Sequence, residues 1–424
     1  MKNLDSDFIL NRMLSLHPKV IDLTLDRVWC LLDALGNPQN KLPKVIHIAG
    51  TNGKGSTLSM IRAGLNEIGL KTHAYTSPHL VRFHERIQLN DNFIAEKKLA
   101  EILDECYSAN KEKPITFFEI TTCAAILAMS RNHADFVLLE VGLGGRLDAT
   151  NVVANPELTI ITPVSLDHQQ FLGNTIKKIS SEKAGIIKPF CPVVIGKQDK
   201  SAFRVIIEKA SEKKAPILSY DLQWRIREVS DGILYEDENT TINLPKPNLL
   251  GKHQIQNAGM AIAALNQLTE KYEAFKGAVC KAKWPARMQK LSNGPIVDAL
   301  GHSNVWLDGG HNPAAGEALA IYLATQNKKP TVLICGMLKT KDVAGYLSPL
   351  SKVVNFLAAV SIPNEINTLP ADETAKKARE TGINSKSFTS IYEGVQFVAN
   401  KYPHCQVLIC GSLYLAGRIL SENQ

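Results

Sequence analysis

Between a short apolar run, KVIHIAG (44–50), and a stretch of helical spacing, STLSMIRAGLNEIG (56–69), the chain reads Gly50-Thr51-Asn52-Gly53-Lys54-Gly55-Ser56-Thr57. The run at 44–50 is rich in β-branched residues and breaks at glycine, which predicts a buried strand. Leu58, Ile61, Leu65 and Ile68 mark one face of a helix closed at Gly69, and a second strand is expected at 72–77. Strand, loop, helix and strand in that order form a βαβ unit and imply a parallel sheet. Glycines in the loop let successive N–H groups turn toward a phosphate, and the helix N-terminus adds positive potential. Lys54 is placed to reach terminal phosphates, and Ser56 or Thr57 to approach Mg²⁺. The loop departs from G-x-x-x-x-G-K-[ST] at two points. Ile48 stands where the first glycine belongs, and Gly55 separates Lys54 from the hydroxyls.

The same rhythm runs on. Ile21, Leu25, Val28, Trp29, Leu32 and Leu35 predict a helix ending at Gly36, and helices are expected near 96–107 and 119–131. Strands are expected at 135–141, 158–164 and 192–196, with helices near 176–186 and 201–213. Residues 217–244 lose the helical period and read as short antiparallel strands, followed by helices at 254–271 and 273–282. After KWPARMQKL (283–291) the pattern restarts with four buried strands, VWLDGG (305–310), TVLICGM (331–337), VVNFLAAV (353–360) and QVLICGS (406–412). Helical segments at 313–326, 340–350, 371–381 and 390–400 lie between them. The fold class is α/β, with a larger domain at 1–283 and a smaller one at 284–424; Trp-Pro at 284–285 breaks the helix between them.

A length of 424 residues exceeds what one core usually supports. No apolar run approaches the roughly 20 residues needed to cross a bilayer, and the acidic start MKNLDSDFILNRML is not expected to be a signal peptide. Eight scattered cysteines without a CxxC pair point to free thiols in a reducing compartment. The net charge of +7 is spread along the chain with no basic tract interleaved with aromatics, which gives no support for nucleic-acid binding and suits small anionic substrates.

Further polar residues stand at predicted strand ends. Glu140 closes the apolar DFVLLE and reads either as a solvated carboxylate or as a Mg²⁺ ligand beside the phosphate loop. The following GLGGRLDATN is not a dinucleotide fingerprint, because G-x-G-x-x-G would need glycine at Leu147. Asp167-His168 follows another strand, on the same sheet edge as Glu140 and Lys54, and Asp308-Gly309-Gly310-His311-Asn312-Pro313 follows a strand of the second domain. Lys183, taken from its surroundings alone, reads as a helix-surface lysine.

GTNGKGS, TSPHLVRFHERI, EVGLGGRLDATN, LDH, SEKAGIIK, WPARMQ, LDGGHNP and a closing CGS occur in the order seen in the folylpolyglutamate synthase family of the Mur ligase superfamily. The chain resembles that family over nearly its whole length. IDLTLDRV (21–28), FHERI (83–87) and TFFE (116–119) look like its bifunctional bacterial type, which makes dihydrofolate from dihydropteroate and extends polyglutamate tails. The resemblance implies a P-loop ATPase domain followed by a Rossmann-like domain. It also implies ATP-dependent joining of L-glutamate to dihydropteroate and to folates through an acyl phosphate, with ATP and two Mg²⁺ ions. By the same resemblance Gly50, Asn52, Gly53, Lys54, Gly55, Ser56 and Thr57 hold phosphates, and Asn257 meets the adenine region. Arg287, Asp308 and His311 reach the nucleotide from the second domain. Ser77, Glu140 and His168 hold Mg²⁺, and Lys183 matches a lysine that the family converts to a carbamate. Lys54, His168 and Lys183 are thus the implied catalytic set, with no general base assigned. Pro78, His79, Arg82, Glu119 and Asp148 line the pterin side, and His311 and Ser412 are candidates for glutamate. Gly310 stands where the family often has Ala. The implied protein is a cytoplasmic monomer acting on small molecules, with neither nucleic acid nor membrane as partner. Beside this stand a monofunctional folylpolyglutamate synthase, a Mur-type ligase acting on a UDP-linked precursor, and a nucleotide-binding module without catalysis.

Overall fold

Eight strands build one sheet: β1 (Lys44–Ala49), β2 (Thr72–Tyr75), β3 (Ile87–Leu89), β4 (Asn92–Phe93), β5 (Phe136–Glu140), β6 (Leu158–Ile161), β7 (Val193–Ile195) and β8 (Ile217–Ser219). Their spatial order is β4-β3-β2-β5-β1-β6-β7-β8. Strand β1 is central and pairs in parallel with β5 and β6, with Ile48 opposite both Glu140 and Ile160. Beyond them β2, β7 and β8 are also parallel to their inner neighbours, and only β3 and β4 reverse. Apart from Lys44, every residue of β1 and β5 is buried. This is the composition that helices on both faces of a parallel sheet demand. One core packs Val45, Tyr75, Val137 and Leu139 against the helix Phe117–Ser130, and another packs Ala49, Ile161, Val193 and Ile195 against Ile176–Ala184 and Lys200–Glu212.

The computed structural model describes residues 5–19, 21–301, 303–326 and 329–422. It divides into two units, one running through Asn248 and resuming over Ile255–Ala282, the other comprising Leu249–Gln254 and the chain from Lys283 onward. The first unit also carries a separate antiparallel sheet of β9 (Trp224–Val229), β10 (Gly232–Asp237) and β11 (Thr241–Leu244). The second unit is a six-stranded sheet of β12 (Gln289–Leu291), β13 (Asn304–Leu307), β14 (Thr331–Cys335), β15 (Phe356–Ala359), β16 (Ser385–Ser387) and β17 (Gln406–Cys410), in the order β12-β13-β17-β14-β15-β16. Among the described residues no helix is long and apolar enough to cross a membrane.

Three expectations change. Residues 21–25 are not helical; the helix is Asp26–Ala34. There Asp22 is drawn to Arg27, whose Nη1 donates to its carboxylate at 2.9 Å and Nη2 to its backbone carbonyl at 3.0 Å. The segment 217–244 is only partly antiparallel, since β8 extends the large parallel sheet. Among the described residues the second unit has six strands where four were expected. The added β12 and β16 are three-residue edge strands with few buried positions, too short to carry a periodic signal.

Candidate active site

The carboxyl ends of β1, β2, β5 and β6 are adjacent in the sheet, so the loops leaving them form one edge, where open α/β sheets bind ligands. After β1 the chain passes through Gly50 at φ +147° and Gly53 at φ +90°, and Gly53 caps the helix Lys54–Glu67. Both angles lie in the left-handed region that favours glycine. Space requires glycine as well: a Cβ on Gly50 would lie 1.8 Å from Thr162 Oγ1, and one on Gly53 2.5 Å from Asn257 Oδ1. Asn257 therefore lies against the phosphate loop itself. The loop is tied to the segment after β6, with Thr51 N donating to Pro163 O at 3.0 Å and Thr51 Oγ1 to Ser165 O at 3.1 Å.

Two ammonium groups converge on one carbonyl. Lys54 Nζ donates to Gly50 O at 3.3 Å and lies 4.0 Å from Glu140 Oε1, at the limit of an ion pair. Lys183 Nζ donates to the same Gly50 O at 2.8 Å. Lys183 is only 5 % exposed, which corrects its reading as a surface lysine. Burial, and then the charge of Lys54, push its pKa down to about 7. Glu140 is buried too, and its Oε2 accepts from Ser77 N at 3.2 Å, which joins the ends of β2 and β5. Thr57 Oγ1 is buried without a hydrogen-bond partner, while Ser56 and Gly55 occupy the first turn beside it. His168 is exposed after β6, with its backbone N–H on Asp167 Oδ1 at 2.8 Å.

Among the described residues no three His, Cys, Asp or Glu side chains gather to hold a metal ion. One carboxylate beside a phosphate loop and hydroxyl groups is still a donor set that fits Mg²⁺, which usually takes one or two carboxylates and completes its shell with phosphates and water.

On the expected pterin side, Glu85 organises the loop after β2 by accepting the N–H groups of Leu80, Val81 and Arg82 at 2.7, 3.0 and 2.9 Å. Pro78 and Arg82 are exposed. His79 accepts at Nδ1 from Arg86 Nε at 2.9 Å, and burial followed by that guanidinium lowers its pKa to about 4. Asp148 is buried, with Oδ2 on Leu143 N at 2.8 Å and Oδ1 on Thr150 N at 3.0 Å and Thr150 Oγ1 at 2.5 Å; burial raises its pKa. Thr150 Oγ1 also meets His47 Nε2 at 2.8 Å. The buried Glu119 has both oxygens engaged. Oε2 accepts from Thr116 N at 2.8 Å and Arg27 Nε at 3.0 Å, and Oε1 from Arg27 Nη2 at 2.9 Å. It is the N3 residue of a capping box, a local role that Thr116-x-x-Glu119 spells out.

In the second unit Asp308 follows β13 and accepts from Met288 N at 2.8 Å and Gly310 N at 2.7 Å. His311 Nδ1 meets Gly309 O at 2.8 Å, so the other ring nitrogen faces outward from that bond. Asn312 caps the helix Pro313–Thr325 through Ala315 N at 3.0 Å. Arg287 Nη1 donates to Ala286 O at 2.8 Å and packs by Gly309, where a Cβ would lie 2.9 Å from it. The buried Ser412 caps the last helix through Tyr414 N at 3.1 Å. Sequence reasoning passed over Thr162 and His47, and met Arg27 and Glu85 only within the stretches 21–28 and 83–87, without a role of their own. His47 leaves a local trace as a polar residue within an apolar strand.

Residues 48–265 match the Mur ligase middle domain, and residues 298–422 match the dihydrofolate synthetase C-terminal domain. The chain is 33% identical over 416 residues to the dihydrofolate synthase/folylpolyglutamate synthase of Escherichia coli (strain K12), covering 97% of this chain and 94% of that one. It is 32% identical over 417 residues to the protein of the same name from Bacillus subtilis (strain 168), covering 93% and 94%. Its structure is similar to that of E. coli FolC in complex with DHPP and ADP, with a TM-score of 0.89 and 31% identity over 98% of this chain and 97% of that one. A bifunctional folylpolyglutamate synthase/dihydrofolate synthase with Mn, AMPPNP and L-glutamate bound gives a TM-score of 0.87 at 28% identity, over 98% and 97%.

Proposed function

The chain belongs to the dihydrofolate synthase/folylpolyglutamate synthase family, and from that premise we propose that it joins L-glutamate to dihydropteroate and to folates at the expense of ATP. One observation supports this reading above the others. Two lysines, a buried carboxylate and a glycine-shaped phosphate loop meet at the ends of adjacent strands, around Gly50.

A carboxylate resists attack by an amine, so the acid is first activated. A carboxylate oxygen of the pterin substrate attacks the γ-phosphorus of ATP, ADP leaves, and an acyl phosphate forms. The repulsion between an anionic acid and a polyanionic nucleotide must be offset where charge develops. Lys54 turns from Gly50 O and Thr51 O toward the γ-phosphate, and the N–H groups of Gly53 and the first helical turn, together with Asn52, hold the phosphate chain. Ser77, Glu140 and His168, with Thr57 or Ser56 close by, would hold Mg²⁺, which would neutralise phosphate charge when bound. Lys183, poised near neutrality by burial, is suited to take up CO₂ as a carbamate, which turns a buried cation into an anion beside the phosphates. Asn257, against the loop after β1, is proposed to contact the nucleotide from the first unit, and Arg287, Asp308 and His311 are the proposed nucleotide residues of the second. The α-amine of glutamate, after losing a proton, then attacks the acyl carbon, and the tetrahedral adduct collapses to an amide and phosphate. His311 and Ser412 are proposed to face the incoming glutamate. Pro78, His79 and Arg82 face the pterin, while Asp148 and Glu119 set the loops behind them. We place the protein in the cytoplasm as a monomer; its eight free cysteines fit a reducing compartment.

The test is phosphate release by purified protein with ATP, Mg²⁺ and glutamate, comparing dihydropteroate with tetrahydrofolate. Release with both is expected. Release with tetrahydrofolate alone reduces the activity to tail extension, and release with neither removes the ligase assignment.

A further inference from the structure

The glycine-rich loop at 142–151 leaves β5 but starts no helix, and the ligation chemistry uses only Asp148 from it. Its contacts run to the last turn of the helix Ile176–Ala184. Arg146 N donates to Glu182 O at 2.7 Å, and the Arg146 guanidinium reaches Glu182 Oε1 through Nε at 3.1 Å and Nη2 at 2.9 Å. Asn151 Nδ2 spans the junction, donating to Arg146 O at 3.0 Å and Gly185 O at 3.3 Å. Two glycines permit this approach. A Cβ on Gly145 would lie 2.7 Å from Glu182 O and 3.0 Å from Lys183 O, and one on Gly185 would lie 2.4 Å from Arg146 Cβ. Gly185 has an ordinary φ of −63°, so what is required there is room.

Lys183 follows Glu182 directly, and its Nζ crosses to Gly50 O. A four-carbon side chain keeps its tip in place only when its own backbone is fixed. We infer that the loop at 142–151 is a clamp on the helix end that carries Lys183, and that Gly145, Arg146, Glu182 and Gly185 are positioning residues acting through Lys183. The inference rests on the proposed role of Lys183 in the nucleotide site. Arg146 is 55% exposed and Glu182 21%, so their ion pair is screened and adds little by itself. The backbone hydrogen bond and the glycine fit carry the clamp.

The experiment is a set of double-mutant cycles on kcat for ligation, measured at high enzyme concentration with substrate still in excess so that residual turnover is visible. Gly145→Ala and Gly185→Ala are each expected to lower kcat about ten- to hundredfold, the scale of an ångström's displacement, while KM for dihydropteroate holds. Arg146→Ala, a surface change that leaves the fold intact, is expected to lower kcat about threefold, and Arg146→Lys to recover part of that. Placed on Lys183→Ala, all three should add less than about twofold, because residues acting through one group are not additive. Losses that multiply on the Lys183→Ala background overturn the clamp, as do glycine variants with unchanged kcat. If one glycine variant melts early, the other decides the matter in the same cycle, and Asn151→Ala, which removes the side chain that donates to Arg146 O and Gly185 O, is the third probe. Near-normal turnover by Lys183→Ala alone is a different result: it removes the proposed role of Lys183 itself, and the positioning role built on it falls for that reason and not through the cycle.

Discussion

Two glycine-rich loops leave neighbouring strands of the same sheet, and they use glycine for opposite purposes. The loop after β1 takes left-handed angles at Gly50 and Gly53, commits the N–H groups of Thr51 and Asn52 to Pro163 O, and delivers the chain into the helix Lys54–Glu67, whose first N–H groups are the ones left for a ligand. The loop after β5 spends its N–H groups on the protein. Leu143 and Thr150 donate to Asp148, Arg146 to Glu182 O, and Asp148 to Gly145 O. Its Gly145 makes room for another backbone. Similar composition therefore gives a helix-starting loop, which we propose as the anion cradle, in one place and a packing surface in the other. What separates them is whether a helix begins at the end of the loop.

Substitutions can break this contrast, and the largest effect belongs to the cradle. Lys54→Ala should lower kcat/KM for ligation by about a thousandfold or more, on the scale of losing a main stabiliser of transferring phosphate. A phosphate-release assay checks it, and a loss below tenfold would take Lys54 out of the scheme. Gly53→Ala should come next, at about a hundredfold, because the residue is held at φ +90° with Asn257 Oδ1 in the way. Its effect should appear as weakened ATP binding in a nucleotide titration, whereas Gly145→Ala should leave ATP affinity within about threefold. Equal losses of ATP affinity in the two variants would erase the distinction between the loops.

Lys183→Met sharpens the contrast through stability. The folded pKa of Lys183 is lowered from 10.5 to about 7, so between those values the unfolded chain binds a proton that the native state does not. Stability then rises with pH across that window, and at or below about pH 7 the native state carries the full penalty of a buried charge. Removing the amine should raise the melting temperature by a few degrees near pH 7, with the gain shrinking toward pH 10, while turnover is severely reduced. A melting temperature that falls at every pH would contradict the burial argument. Smallest in effect on catalysis is Glu119→Gln, which weakens the pairing with Arg27 and the capping box. It should lower stability by about 1–3 kcal/mol in denaturant unfolding and leave ATP affinity unchanged.

The fold and the glycine turn after β1 were legible for a physical reason. Strands such as β1 and β5 are continuous apolar runs, and Gly50 to Ser56 carry their own turn chemistry, so local sequence contains the whole signal. The burial of Lys183 was not legible, because it depends on the helix end meeting the loop after β1, where Gly50 O takes the amine from far earlier in the chain. Glu119 shows the converse. Thr116-x-x-Glu119 before an apolar helix announces a cap, yet the resemblance assigned the residue to the pterin, and both its oxygens are held by Thr116 and Arg27. The edge strands β12 and β16 fell below notice because three residues hold no period.

The most direct test of the ligase account follows an oxygen atom. Dihydropteroate labelled with ¹⁸O in its carboxylate is turned over with ATP, Mg²⁺ and glutamate, and the released phosphate is analysed by mass spectrometry. Activation through an acyl phosphate transfers a carboxylate oxygen to phosphorus, so each phosphate formed should carry one ¹⁸O. Unlabelled phosphate accompanying amide formation would contradict the account, because the acid would have been activated, if at all, by another route.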